Sequence, residues 1–122
     1  MNNEYYTTIG MDVSDQKIQV CVMSKKNGAP KIISETVIPT TKEGLIKFLA
    51  KQDKSSPVTF ETGMHCRWMK KVVEGLGFKV HVANPCHLRM ITESKTKNDV
   101  NDARTLARIT LADPGLLHPV KL

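Results

Sequence analysis

Four carboxylates stand where they could do chemistry together: Asp12, Glu61, Asp99 and Asp102. Asp12 interrupts a run of strand-forming residues, a setting that disfavours aspartate. Glu61 closes a short apolar run, just after Val58 and Phe60. Asp99 and Asp102 are three apart, which puts both on one face of a helix, and acids suit a helix N-terminus through its macrodipole. Gathered in one place, four such groups repel and cannot all stay ionised unless cations intervene. Hard divalent ions with oxygen ligands, Mg²⁺ or Mn²⁺, meet that need. Two ions roughly 3.5–4 Å apart can activate a water or hydroxyl and stabilise the leaving oxygen of a phosphodiester. The expected chemistry is therefore two-metal, in-line attack at a backbone phosphate. Taken singly, Asp12 also reads as a structural cap and the Asp99–Asp102 pair as a helix-capping device; what favours chemistry is their joint placement on the elements of one fold.

Those elements follow from the patterning. Tyr6 to Val13 alternate, with Ile9, Met11 and Val13 on one side and Thr8, Gly10 and Asp12 on the other, as in a strand. Ile18, Val20 and Val22 resume the alternation after a turn at Ser14–Gln16, and Asn27-Gly28 is a hairpin signal leading to a third strand over Lys31 to Ile38. Thr40 and Glu43 make a capping box ahead of the stripe Leu45, Ile46, Phe48, Leu49. Val58 to Glu61 reads as a fourth strand. Trp68, Met69, Val72, Val73 and Leu76 recur at helical spacing up to Gly77, and Phe78 to Val82 form a fifth strand. Asn84-Pro85 looks like a helix start. A last helix is expected from about Asn98 to Leu111, ended by Asp113-Pro114-Gly115.

The order βββ-α-β-α-β-α-α predicts an α/β fold, a mixed five-stranded sheet with flanking helices, in the ribonuclease H-like (RuvC-like) strand order. In that order the first and fourth strands are neighbours, so Asp12 and Glu61 emerge close together. A last helix beside the first strand would aim Asp99 and Asp102 at them.

At 122 residues the sequence is one domain's worth of chain. Eighteen Lys and Arg against twelve Asp and Glu give +6, a surplus that favours a polyanionic partner. No apolar run could span a membrane, the start MNNEYYTTIG is no signal peptide, and three unpatterned cysteines read as reduced thiols, so a cytoplasmic protein is expected. Lys95, Lys97, Arg104 and Arg108 flank the acidic pair, and the two arginines share a helix face from which they could hold phosphate. Arg67, Lys70 and Lys71 form a second basic group, read as a solvated face. His65-Cys66 and Cys86-His87 match no common zinc spacing and are taken as buried thiols and surface histidines. Trp68 is assigned to the core. With six aromatic residues there is no stacking platform of the single-strand-binding kind.

GMDVSDQKIQV, FETGMHCRWMKKVVEGLGFKVHVANP and KTKNDVNDARTLARI resemble the three blocks of the DEDD (RuvC-like) transposases of the bacterial insertion-sequence family numbered one hundred and ten. The resemblance runs from about residue 7 to 112. Its most specific pieces are Glu61-Thr62-Gly63, Asn84-Pro85, Lys97-Asn98-Asp99 and Asp102-Ala103. It implies that Asp12, Glu61, Asp99 and Asp102 are the metal-binding catalytic acids, with Mg²⁺ or Mn²⁺ as cofactor. It further implies DNA strand cleavage and transfer in transposition, a guide RNA as partner, and a homo-oligomer in the full-length protein. The family also has a C-terminal domain with a nucleophilic serine. None of Ser14, Ser24, Ser34, Ser55, Ser56 and Ser94 matches that role, so residues 1–122 are expected to be a single RuvC-like domain, the N-terminal one, incomplete for recombination by itself.

Two other readings compete. A free-standing resolvase-like nuclease would cut branched DNA without a partner domain. A non-catalytic nucleic-acid-binding module would bind DNA or RNA even after loss of all four acids. A nucleotide-binding fold of the actin and sugar-kinase type also opens on a strand aspartate, but its glycine-rich phosphate loops are missing.

Overall fold

The structure, a computed structural model, describes residues 6–84 and 102–122. Strand β1 (Thr7–Val13) pairs antiparallel with β2 (Lys17–Lys26), and β2 pairs antiparallel with β3 (Ala29–Pro39). Asn27 (φ 53°) and Gly28 (φ 82°) turn the β2–β3 hairpin in the left-handed conformation that such tight turns demand. Helix α1 (Lys42–Leu49) leads to β4 (Val58–Glu61), and α2 (Cys66–Gly75) leads to β5 (Val80–Ala83). Both β4 and β5 join in parallel, giving the order β3-β2-β1-β4-β5. The last helix, α3 (Ala103–Ala112), is followed by a 3₁₀ turn at Pro114–Leu117. The expected meander and the pairing of the first and fourth strands are both present.

The sheet is covered on both faces across β1, β2, β4 and β5, while β3 is exposed except at Ile38. Ile9, Met11, Ile18, Val20, Val58, Phe60 and Val82 pack with Leu45 and Leu49 of α1 and with Met69 and Val73 of α2. Full burial of a side chain the size of Phe60 contributes about 1.5–3 kcal/mol. The opposite face carries α3: Cys21 and Met23 meet Ala103, Ala107 and Leu111, while Ala83 meets Leu106, Ile109 and Leu117. Burial, and secondarily the Glu35 charge, push the Cys21 thiol up to about 11, so it behaves as packing material and not as a nucleophile.

Helix α3 lies unusually close to β1 because the contact is made of small residues. A side chain on Gly10 would run into the Ala103 carbonyl and the Ala107 backbone nitrogen. Buried hydroxyls fix the helix in place. Thr8 Oγ1 donates to the Ala107 carbonyl at 2.8 Å, and Thr110 Oγ1 donates to the Leu106 carbonyl at 2.7 Å. With its hydrogen committed there, Thr110 must accept from Thr59 Oγ1, 2.8 Å away on β4. Each such bond contributes about 0.5–1.5 kcal/mol net, and together they set the register of α3 on the two strands that carry Asp12 and Glu61.

Several boundaries differ from the sequence expectation; β3, for one, begins two residues earlier, at Ala29. The α1 cap is Thr41, not Thr40: Thr41 Oγ1 accepts from Gly44 N at 2.9 Å, whereas Thr40 Oγ1 donates to the Ser14 carbonyl and ties the β1–β2 turn to the end of β3. The final helix starts at Ala103 with Asp102 as its N-cap, in extended backbone (φ −76°, ψ 177°), so Asp102 precedes the first turn and does not lie within it. A short acid that can accept from the Thr105 amide is worth more as a cap than as a helical residue. Strand β5 begins two residues later than expected, at Val80, because Phe78 belongs to the turn that follows α2. The helix expected after Asn84-Pro85 lies outside the described residues.

Candidate functional site

Ile9 lies opposite Val58 and Gly10 opposite Thr59 in the parallel β1–β4 pair. Carrying that register two residues further brings Asp12 level with Glu61. Side chains alternate across a strand, so Glu61 shares the face of Thr59, and Asp12 that of Thr8 and Gly10. This is the α3 face. Both acids stand at the C-terminal ends of adjacent strands and wall one cavity of about 160 Å³, together with Ser14, Asp15, Thr62 and His65. Glu61 is half-buried with Oε2 shielded from solvent, while Asp12 is exposed.

Asp102 comes to this place from the other side. The contacts of Thr8 with Ala107 and of Gly10 with Ala103 step along β1 toward Asp12 as they step along α3 toward its N-terminus. Asp102 is the next residue of that helix end. Partial burial, and then the negative charge of Asp102, raise the Asp12 carboxyl above the ordinary aspartate value. Asp102 does not line the same cavity. Its Oδ1 accepts from Thr105 N at 2.9 Å, and it borders a neighbouring space of about 360 Å³ with Gln19, Glu35 and Arg104. The structure thus places Asp12 and Glu61 side by side, with Asp102 within electrostatic reach of Asp12. Asp99, Lys95 and Lys97 lie outside the described residues. Among the described residues no group of three His, Cys, Asp or Glu is arranged as a metal cage.

The expected arginines divide. Arg104 is held by Glu35 of β3 in a two-pronged pair, Nε to Oε2 and Nη2 to Oε1 at 3.0 Å, and this pair keeps the Glu35 carboxyl below its ordinary range. Arg108, one turn on, is exposed.

Asp15 and His65 also line this cavity, although the sequence placed Asp15 in a turn and His65 on the surface. Trp68 Nε1 donates to His65 Nδ1 at 3.0 Å, which requires a lone pair there and puts the ring hydrogen on Nε2, facing Asp15 Oδ1 at 3.0 Å. His65 is therefore a link between α2 and the β1–β2 turn at the cavity rim, not a free surface histidine. Its i, i+3 spacing to Trp68 was the one available signal. Cys66 is buried as expected; Cys86 and His87 lie outside the described residues.

A mixed five-stranded sheet of this order with helices on both faces has the ribonuclease H-like fold. The chain superposes on T. thermophilus RuvC in complex with a Holliday junction substrate, at a TM-score of 0.63 over 95% of this chain and 100% of that one. The two are 11% identical, so the likeness is one of fold. No curated protein matches the sequence. The DEDD transposase family of the IS110 type matches residues 9–122, and the chain belongs to that family. Among the described residues no helix is long and apolar enough to cross a membrane.

Proposed function

We propose that this is the metal-dependent catalytic domain of a DNA transposase, in which Asp12, Glu61, Asp99 and Asp102 hold Mg²⁺ or Mn²⁺ for DNA strand cleavage and transfer. The observation that carries the reading is the placement of Asp12 beside Glu61 on one cavity wall, with the Asp102 charge bearing on Asp12. The donors fit the ion: all are hard carboxylate oxygens, and a cation would offset both the burial and the Asp102 repulsion that raise the Asp12 carboxyl. When bound, such an ion would supply an activated water or hydroxyl and charge neutralisation at the phosphate. The residues themselves do the rest. Glu61, half-buried at a strand end, holds its carboxylate in a fixed position; Asp12 presents its own to solvent and substrate. Asp102 caps the start of α3, and the His65–Asp15 contact ties α2 to the β1–β2 turn at the rim.

Membership of the transposase family and the basic charge of the chain support DNA as the partner. A guide RNA, self-association and a serine nucleophile supplied from outside residues 1–122 are finer proposals, supported by the family resemblance. The site alone is expected to nick DNA slowly in Mg²⁺ or Mn²⁺, with nicking abolished by a chelator and by Glu61→Gln. Strand breaks that persist under chelation, or at equal rate in Glu61→Gln, would contradict the reading. RuvC's substrate makes a four-way junction the natural second probe. Preferential cleavage of that junction over linear duplex would favour the resolvase-like reading instead.

A further inference from the structure

Helix α2 starts at the rim of the carboxylate cavity, and its outer side carries Arg67, Lys70 and Lys71. With Trp68 and Leu122 these residues wall an open groove of about 370 Å³. Trp68 connects the two places, since its indole nitrogen donates to His65, which lines the carboxylate cavity. Lys70 is engaged by Glu74 at 3.1 Å. Arg67 and Lys71 are exposed and form no ion pair among the described residues.

A floor of Trp68 and Leu122 bounded by two uncommitted cations suits a strand whose phosphates are anionic and whose bases offer flat π faces. An apolar protein segment would bury Arg67 and Lys71 without partners, at a cost that a polyanion avoids. We infer that the Arg67–Lys71 side of α2 is a track for a single DNA strand that leads into the Asp12–Glu61 cavity. Arg67 and Lys71 contact phosphates, and Trp68 lies against a sugar or base. The inference rests on the proposed function in that the strand on the track is the one the carboxylates act on.

The test is fluorescence anisotropy of a fluorescein-labelled single-stranded oligonucleotide, titrated with the whole chain at several salt concentrations. Arg67→Ala/Lys71→Ala should weaken binding roughly tenfold at low salt. It should also flatten the logarithmic salt slope by about 1.4, two contacts at about 0.7 each. Arg67→Lys/Lys71→Arg should restore both. Lys26→Ala/Lys31→Ala, at the hairpin tip roughly 23 Å along β2 from the level of Asp12, should change neither. Trp68, the one tryptophan, should shift or lose emission as the oligonucleotide binds. Unchanged affinity and slope in the double alanine variant, or an equal loss in the hairpin variant, would overturn the inference. So would loss of self-association in sedimentation without loss of DNA affinity, which would assign the groove to a second copy of the chain. Mn²⁺ calorimetry on the same variants keeps the two readings apart. Metal binding that persists while the track fails leaves the carboxylate site standing, and a track that holds without metal binding removes the site alone.

Discussion

Gly10→Ala will lower the melting temperature by roughly 3–18 °C and will weaken Mn²⁺ binding at the same time. The added methyl would sit 2.2 Å from the Ala103 carbonyl oxygen and 2.7 Å from the Ala107 backbone nitrogen. Neither is a side chain that can turn aside, so the whole helix must retreat from β1. Overpacking of this kind costs about 1–3 kcal/mol and sometimes more, and each kcal/mol moves the melting point of a domain this size by roughly 3–6 °C. Retreat also stretches the Thr8 bond to Ala107 and carries Asp102 away from Asp12. Stability and metal affinity should therefore fall together. Gly75→Ala is the matched control. Nothing lies within 4 Å of its added methyl, and alanine is the better helix former, so this variant should melt at or above the wild-type temperature. Circular-dichroism melts of both, with a Mn²⁺ titration of each, check the pair.

Asp12→Asn should do the opposite to stability and worse to metal binding. Burial first, and Asp102 second, raise the Asp12 carboxyl above its ordinary value of 3.8. Between the unfolded and the folded value the native chain holds more protons than the unfolded chain, so stability falls as pH rises through that window. At neutral pH the ionised carboxylate is thus a net cost without metal. Asparagine removes the charge and should raise the metal-free melting temperature. Because Asp12 is exposed, solvent screening reduces the gain to a fraction of a kcal/mol, on the order of 1–2 °C. Below the ordinary carboxylate range, where the acid is protonated in both states, the gain should vanish. Mn²⁺ affinity should fall at least about hundredfold, since loss of an outer partner alone typically costs 10–100-fold. The stabilisation that Mn²⁺ confers on the wild type should disappear with it. A merely structural aspartate would lose stability on substitution. Melts at neutral and acid pH, with and without Mn²⁺, read both signs.

Much of the site was legible in the sequence because strand periodicity is strict. Once Ile9, Met11 and Val13 point to one core, Asp12 must point to the other face, and the parallel register then brings Glu61 beside it. The helix start was less legible. Asp102 fits a helix and a cap equally well by composition, and the Thr105 amide that it accepts from became visible only with the backbone in place. Thr40 and Thr41 posed the same ambiguity one residue apart. Long-range partners left no local signal at all. Arg104 meets Glu35 and His65 meets Asp15 across 69 and 50 residues of chain, contacts that tie α3 to β3 and α2 to the cavity rim.

A double-mutant cycle of Mn²⁺ affinity tests most directly whether Asp12 and Glu61 belong to one divalent-metal site. Calorimetry on wild type, Asp12→Asn, Glu61→Gln and the double variant gives the coupling between the two carboxylates. Sharing predicts that either single substitution removes most of the binding and that the second adds little, a coupling on the order of 1–3 kcal/mol. Losses that simply add, or wild-type affinity in either single variant, would show that the two acids do not belong to one site.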